Sequence, residues 1–220
     1  MLNILAYHKV NCIETDPLTV NTETFLRELD YLDDKGFNFI VPAGILLKTD
    51  DKRNIVLTFD DGYKDNYETV FPLLKAKGIP AVFFVTYNSL GEDGMLSREE
   101  VKSISDHGFI IGSHTLSHSR LTALSLDDAR KEIAESKRRL EELLKREIEY
   151  FSYPYGEINE DIVNLVKEAG YKAGFVTPAR WNIKIKKGLF AIRRCGIYHK
   201  DIFPVFTFKL SPLYKALRLN

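Results

Sequence analysis

One unit recurs along this chain. A polar, helix-patterned segment runs into a glycine, and an apolar run follows at once. It appears as DDKGFNFIV, LKAKGIPAVFFV, SDHGFIIGSH and KEAGYKAGFV, around Gly36, Gly78, Gly108 and Gly170. A glycine there is what a left-handed helix C-cap requires. The runs that follow are rich in Phe, Val and Ile, the composition of buried strands. Strands are expected at roughly 2–7, 37–41, 54–60, 80–86, 109–114, 150–154, 172–177 and 189–197. Strands alternating with helices form a parallel sheet covered by helices, either an open doubly wound sheet or a closed barrel. Alternation this regular over so many strands favours the barrel. No linker, low-complexity stretch or close repeat interrupts residues 1–220, so one domain is expected.

The helices carry their own marks. Ser97 with Glu100 and Ser125 with Asp128 resemble capping boxes. Between 125 and 145, Leu126, Ala129, Ile133, Leu140, Leu143 and Leu144 form one apolar stripe; Phe25, Leu29 and Leu32 do the same in 22–35. Lys+Arg and Asp+Glu number 31 each. With no basic field and no Lys/Arg cluster among aromatics, nucleic acid is not an expected partner. Cys12 and Cys195 have no metal-ligand spacing and read as reduced thiols. The N-terminus MLNILAYHKV lacks the pattern of a signal peptide, and no run reaches membrane-spanning length, so the chain as given is expected to be cytoplasmic.

In a (β/α) barrel, chemistry collects at the C-terminal ends of the strands. Those ends hold His8 in AYHKV, Asp60 and Asp61 in TFDDG, His114 and His118 in HTLSH, and the turn SYPYG at 152–156. Each has an ordinary structural explanation. An Asp pair before glycine is usually a turn or helix cap, and YPYG reads as a turn. Five histidines placed at random give about 0.1 pairs at this spacing, so the pair alone is a weak signal. Their joint placement at the strand ends of one sheet is the stronger observation. Two imidazoles and one carboxylate can hold a metal with open positions for water and substrate, and the second aspartate can then accept a proton from that water.

These residues resemble the motifs of the polysaccharide deacetylase family, also called NodB-homology or carbohydrate esterase family 4. TFDDG at 58–62 is similar to its first motif, HTLSH at 114–118 to its second, and SYPYG in part to its third, over about residues 54–177. The resemblance implies a distorted (β/α) barrel of about seven parallel strands. It implies removal of N-acetyl groups from an N-acetylhexosamine glycan with a divalent metal, zinc foremost, with nickel, cobalt or iron as alternatives. Carried over by position, Asp60 is the general base, Asp61, His114 and His118 are the metal ligands, and the backbone N–H of Tyr155 supports the oxyanion. The family's third motif opens with an arginine that braces the base, but Ser152 stands here. Arg193 or Arg194 could substitute, and strand alternation favours Arg194. The usual C-terminal Leu-x-His, source of the general acid, is not evident. His199 is one remnant, but YHKV resembles the YH element of the permuted poly-N-acetylglucosamine deacetylase-like branch, which makes His8 the preferred acid. Trp181, like Tyr155, could line sugar subsites.

Two rival readings stay open. One is the same chemistry on a lipid-linked or nucleotide sugar or another amide; the other is a sugar-binding module with a dead site. The C-terminal FPVFTFKLSPLYKALRLN mixes aromatics with Lys209, Lys215 and Arg218. It could rest on a membrane surface, although a helix packed on the barrel is the favoured reading.

Overall fold

A computed structural model describes residues 3–13, 16–42, 53–177, 188–211 and 213–214. The main sheet is built from β1 (Asn3–Tyr7), β4 (Asn38–Phe39), β5 (Asn54–Phe59), β6 (Ala81–Val85), β7 (Ile110–Ser113), β8 (Tyr150–Ser152), β9 (Ala173–Val176), β10 (Ile192–Arg193) and β11 (Cys195–Gly196). Short β2 (Lys9–Val10) and β3 (Thr19–Val20) pair separately. Every pairing in the main sheet is parallel, in the order β10-β9-β8-β7-β6-β5-β1-β11. β4 lies beside the first residues of β5, on the edge whose later residues pair with β6.

The expected strand at 189–197 is divided, and the division closes the barrel. Only Arg194 separates β10 from β11, yet the two lie on opposite edges of the sheet. Arg193 pairs with Val176, the Arg194 N–H donates to the Val176 carbonyl (2.8 Å), Cys195 pairs with Leu5, and the Ile197 N–H donates to Ala6 (2.9 Å). One bent segment therefore bonds to both edges, and the sheet curls into a nearly closed, distorted (β/α) barrel.

Side chains alternate across the wall. Ile4, Val56, Val82, Phe84, Tyr150, Ala173 and Phe175 fill one apolar cluster, while Leu5, Tyr7, Leu57, Phe59 and Phe83 join the larger cluster under the helices. Burial on both faces explains why the strands read as continuous apolar runs. A Cβ on Gly112 would lie 2.4 Å from Phe84 Cδ1, so that position is glycine because the Phe84 ring occupies the space.

Among the described residues six α-helices cover the wall: α1 (Thr22–Asp34), α2 (Phe71–Lys77), α3 (Arg98–Asp106), α4 (Leu126–Leu144), α5 (Glu160–Glu168) and α6 (Phe203–Lys209). The four glycines of the recurring unit all have left-handed φ, between 66° and 87°. Ser97 and Glu100 form the reciprocal capping box, whereas Ser125 accepts from the Asp128 N–H without the return bond. The α4 stripe differs from expectation at Leu126, which is 53% exposed, while Ser136 is fully buried and bonded to Ser113 (2.8 Å). Leu126 is the first residue of the helix and overhangs the edge of the contact. α6 packs on α1 through Phe206, with Tyr31 edge-on to Phe203 and Phe206. It leaves Ile202, Val205 and Phe208 exposed; Lys215 and Arg218 lie outside the described residues. Among the described residues no helix is long and apolar enough to cross a membrane.

Candidate active site

Strand β5 delivers both aspartates to the same rim, and the backbone then separates them. Asp60 continues the inward alternation of Thr58, while Asp61 has φ +72° and turns its carboxylate toward β7. Gly62, at φ +83°, continues the turn against Val85, whose Cγ1 would be 3.3 Å from an added Cβ. His114 follows β7. Thr115 (φ +68°) and His118 (φ +56°) curl the chain so that the second imidazole returns to the first, with ring centroids 4.9 Å apart. Glu132 on α4 holds this turn by accepting the Leu116 and Ser117 N–H groups at 3.0 and 2.9 Å. The Thr115 hydroxyl accepts the N–H of His118 at 3.0 Å.

Asp61 Oδ1 lies 3.2 Å from Nε2 of His114 and 3.2 Å from Nε2 of His118. The three side chains offer ligand atoms within 4.8 Å of one another. His114 Nδ1 lies 2.8 Å from the Ser152 carbonyl, which can only accept, so Nδ1 carries a proton and Nε2 is the nitrogen that faces Asp61, as a lone pair toward a cation or protonated without one. His118 Nδ1 meets the Tyr155 hydroxyl at 3.1 Å. Asp61 Oδ1 is buried and has no aligned hydrogen-bond partner among the described residues. Lone-pair donors converging on one point repel unless a cation lies between them, so this donor set fits a divalent metal. In the metal-free protein, protons do part of that work. Burial pushes Asp61 up, but the two imidazoles outweigh it and hold the carboxyl well below its ordinary range. Burial likewise pulls His114 down, but the contact with Asp61 and the charge of Asp60 leave it above its ordinary value.

Asp60 faces a different partner. Arg194 donates from Nη1 to Asp60 Oδ1 at 2.7 Å and from Nη2 to Oδ2 at 2.5 Å. The same guanidinium donates to Thr58 Oγ1 (2.9 Å) and Ser152 Oγ (2.7 Å), and Thr58 is anchored on the Leu5 carbonyl (2.8 Å). All four side chains are buried. Burial favours the neutral Asp60, but the charge of Arg194 and of His114 and the paired guanidinium bonds override it, and its carboxyl lies below the usual carboxylate range. The structure thus brings Arg194 to Asp60, and the serine at the third-motif position becomes a further partner of that arginine.

His8 stands at the end of β1. Its ring lies 6.3 Å from Tyr198 at 27°, and its buried Nδ1 has no hydrogen-bond partner among the described residues. Burial lowers its pKa below the ordinary imidazole value against the opposing charges of Asp60 and Asp61. Asn66, in a π-helical turn at Asn66–Val70, donates to the His8 carbonyl (2.8 Å) and holds the strand end in place. His199 is tied to the β3 loop through the carbonyls of Pro17 and Thr19. Trp181 lies outside the described residues. Thr58, Asn66, Glu132 and Tyr198 were not singled out by sequence. Only Thr58 left a signal there, since it shares a strand face with Asp60.

A protein-family model described as polysaccharide deacetylase matches residues 47–174. YxkH of Bacillus subtilis, named for the same family, is 32% identical over 201 residues, covering 89% of this chain and 71% of that protein. The poly-β-1,6-N-acetyl-D-glucosamine N-deacetylase of Staphylococcus aureus is 31% identical over 138 residues, 56% of this chain; the match spans about half (48%) of that relative's length. Among solved structures, the Streptococcus pyogenes deacetylase PplD in complex with acetate superposes with a TM-score of 0.84 at 25% identity, covering 96% of this chain and 98% of that one.

Proposed function

This chain belongs to the polysaccharide deacetylase family, and from that membership and the geometry of its site we propose that it hydrolyses the N-acetyl amide of an N-acetylhexosamine glycan of the poly-N-acetylglucosamine type. The observation that carries the proposal is the division of labour between adjacent aspartates. Asp61 joins two imidazoles, while Asp60 is pinned by Arg194 away from them.

Asp61, His114 and His118 would hold a divalent cation, zinc foremost, with nickel, cobalt or iron suiting the same donors. When bound, that cation supplies Lewis acidity toward the amide carbonyl and makes water acidic enough to attack near neutral pH. Asp60 is ionised at neutral pH and accepts the proton of the attacking water. Arg194 takes up both carboxylate oxygens, so the base keeps its position and its charge. The Tyr155 N–H donates to the oxygen on which negative charge builds; losing one such donor typically costs about 3 kcal/mol. His8 gives a proton to the leaving nitrogen. Burial lowers its pKa below the ordinary imidazole value, so the ring draws that proton from solvent water as negative charge develops beside it, and the proton that Asp60 took from the attacking water returns to solvent once acetate has left. The new C–O bond replaces the C–N bond, and acetate and a free amine leave.

The test is acetate release from N-acetylglucosamine oligomers, with and without chelator, alongside nucleotide-linked and lipid-linked N-acetyl sugars. Chelator-sensitive release from the oligomers supports the proposal. Release from the linked monosaccharides alone assigns the same chemistry to another substrate. Sugar binding with no release from any of them would contradict a hydrolytic role.

A further inference from the structure

The two histidines of the cluster are oriented in unlike ways. His114 is buried and meets a main-chain carbonyl, that of Ser152, which stays in place as long as β8 does. His118 has a side chain 30% exposed, and its Nδ1 meets a side-chain hydroxyl, that of Tyr155, at 3.1 Å. Tyr155 is itself 42% exposed and sits at φ +60°. Its ring packs edge-on to His118, with centroids 4.7 Å apart at 66°. The Arg120 guanidinium lies 3.9 Å from the Tyr155 ring centroid and pairs with Glu157, whose second oxygen accepts from Thr122 Oγ1 at 3.2 Å. Glu157 thus fixes Arg120, Arg120 covers the tyrosine, and the tyrosine hydroxyl reaches the imidazole.

We propose that the Tyr155 hydroxyl is the positioning partner of His118: it accepts the Nδ1–H, holds Nε2 toward Asp61 and keeps the lone pair on that nitrogen. The inference rests on Asp61, His114 and His118 being a cation site. It gives the Tyr155 side chain a role separate from that of its backbone N–H. Phenylalanine would retain the N–H, the ring packing and the Arg120 contact, and would lose only the hydroxyl. A half-open imidazole without that bond is free to rotate or to carry its proton on Nε2, and either change takes a ligand from the cluster. Losing such an outer partner typically weakens metal affinity by about 10–100-fold.

The experiment measures zinc affinity of the whole chain by competition with a chromogenic chelator, and the absorption spectrum of the cobalt-substituted protein. The proteins compared are wild type, Tyr155→Phe and Arg120→Met. Tyr155→Phe is expected to bind zinc about 10–100-fold more weakly and to shift the cobalt bands, with the unfolding midpoint of the metal-free protein unchanged. Arg120→Met keeps the hydroxyl and is expected to lose less. Zinc binding by Tyr155→Phe as tight as wild type would overturn the inference, as would a loss in Arg120→Met equal to that in Tyr155→Phe, which would assign the effect to packing. Absence of zinc binding by the wild type would instead refute the cation site itself.

Discussion

Replacing Arg194 by methionine isolates what the arginine does for Asp60, the proposed base. The two side chains are 1% and 4% exposed, so no water takes over when the guanidinium goes. Breaking a buried, hydrogen-bonded ion pair by removing one partner costs about 3–5 kcal/mol, because the other charge is left unpaired. The carboxylate can escape by taking a proton. At about 1.36 kcal/mol per pKa unit, a loss of about 3 kcal/mol corresponds to a rise of roughly two units. Asp60 would then titrate on the order of two units above the depressed position at which Arg194 now holds it. The sign follows. In the wild type a depressed carboxyl stabilises the fold above its unfolded pKa and loses that contribution as pH falls through the folded value. In Arg194→Met the stabilising charge is gone, so the stability gap between the two proteins is widest near neutral pH and narrows on acidification. The assays are urea melts over pH and the pH profile of kcat/KM for acetate release. The acid limb of the profile should move up on the order of two units, and adding Asp60→Asn should restore much of the lost stability. An acid limb that stays where the wild type has it would refute the claim that Arg194 sets the charge of the base.

Glu28 is fully buried, accepts from the Tyr7 hydroxyl at 2.9 Å, and is pushed by burial up to about 8. Its raised folded value means that stability is greatest below the unfolded pKa and declines as pH rises through 8, so Glu28→Gln should gain on the wild type in urea melts between about pH 5 and about pH 9, by up to several kcal/mol. Gly112→Ala places a Cβ 2.4 Å from the Phe84 ring and should destabilise the fold by about 1–3 kcal/mol in the same melts, which a smaller residue at 84 would partly relieve. Zinc must displace the proton that Asp61 and Asp60 help His114 to hold, so zinc affinity measured by competition should fall about tenfold per pH unit for each proton displaced as pH drops through that titration.

The barrel was legible because its unit repeats. Four of the helices, α1, α2, α3 and α5, run into a glycine with left-handed φ, and the strands that follow α2, α3 and α5 are almost wholly apolar. The bend at Arg194 was not, since a chain that changes partner after two residues has the local pattern of one strand. Asp61 and the two histidines could be expected at one rim from strand ends alone. Their orientation depends on the positive φ of Asp61, Thr115 and His118, a conformation that the Asp-Gly turn signal hints at only for Asp61 and that is rarest for the β-branched Thr115. Arg194 could be preferred over Arg193 by alternation, although the bend that aims it is tertiary. Leu126 was placed in the α4 stripe by helical period alone, which carries no information about where the neighbouring surface ends.

Metal content by elemental analysis, compared between Asp60→Asn and Asp61→Asn purified and loaded with zinc in parallel, puts the division between the two aspartates to its most direct trial. Asp60→Asn should retain about one zinc per chain and release no acetate, whereas Asp61→Asn should lose the zinc. Equal zinc content in the two variants, or loss in Asp60→Asn alone, would contradict the assignment of one carboxylate to the cation and the other to the proton.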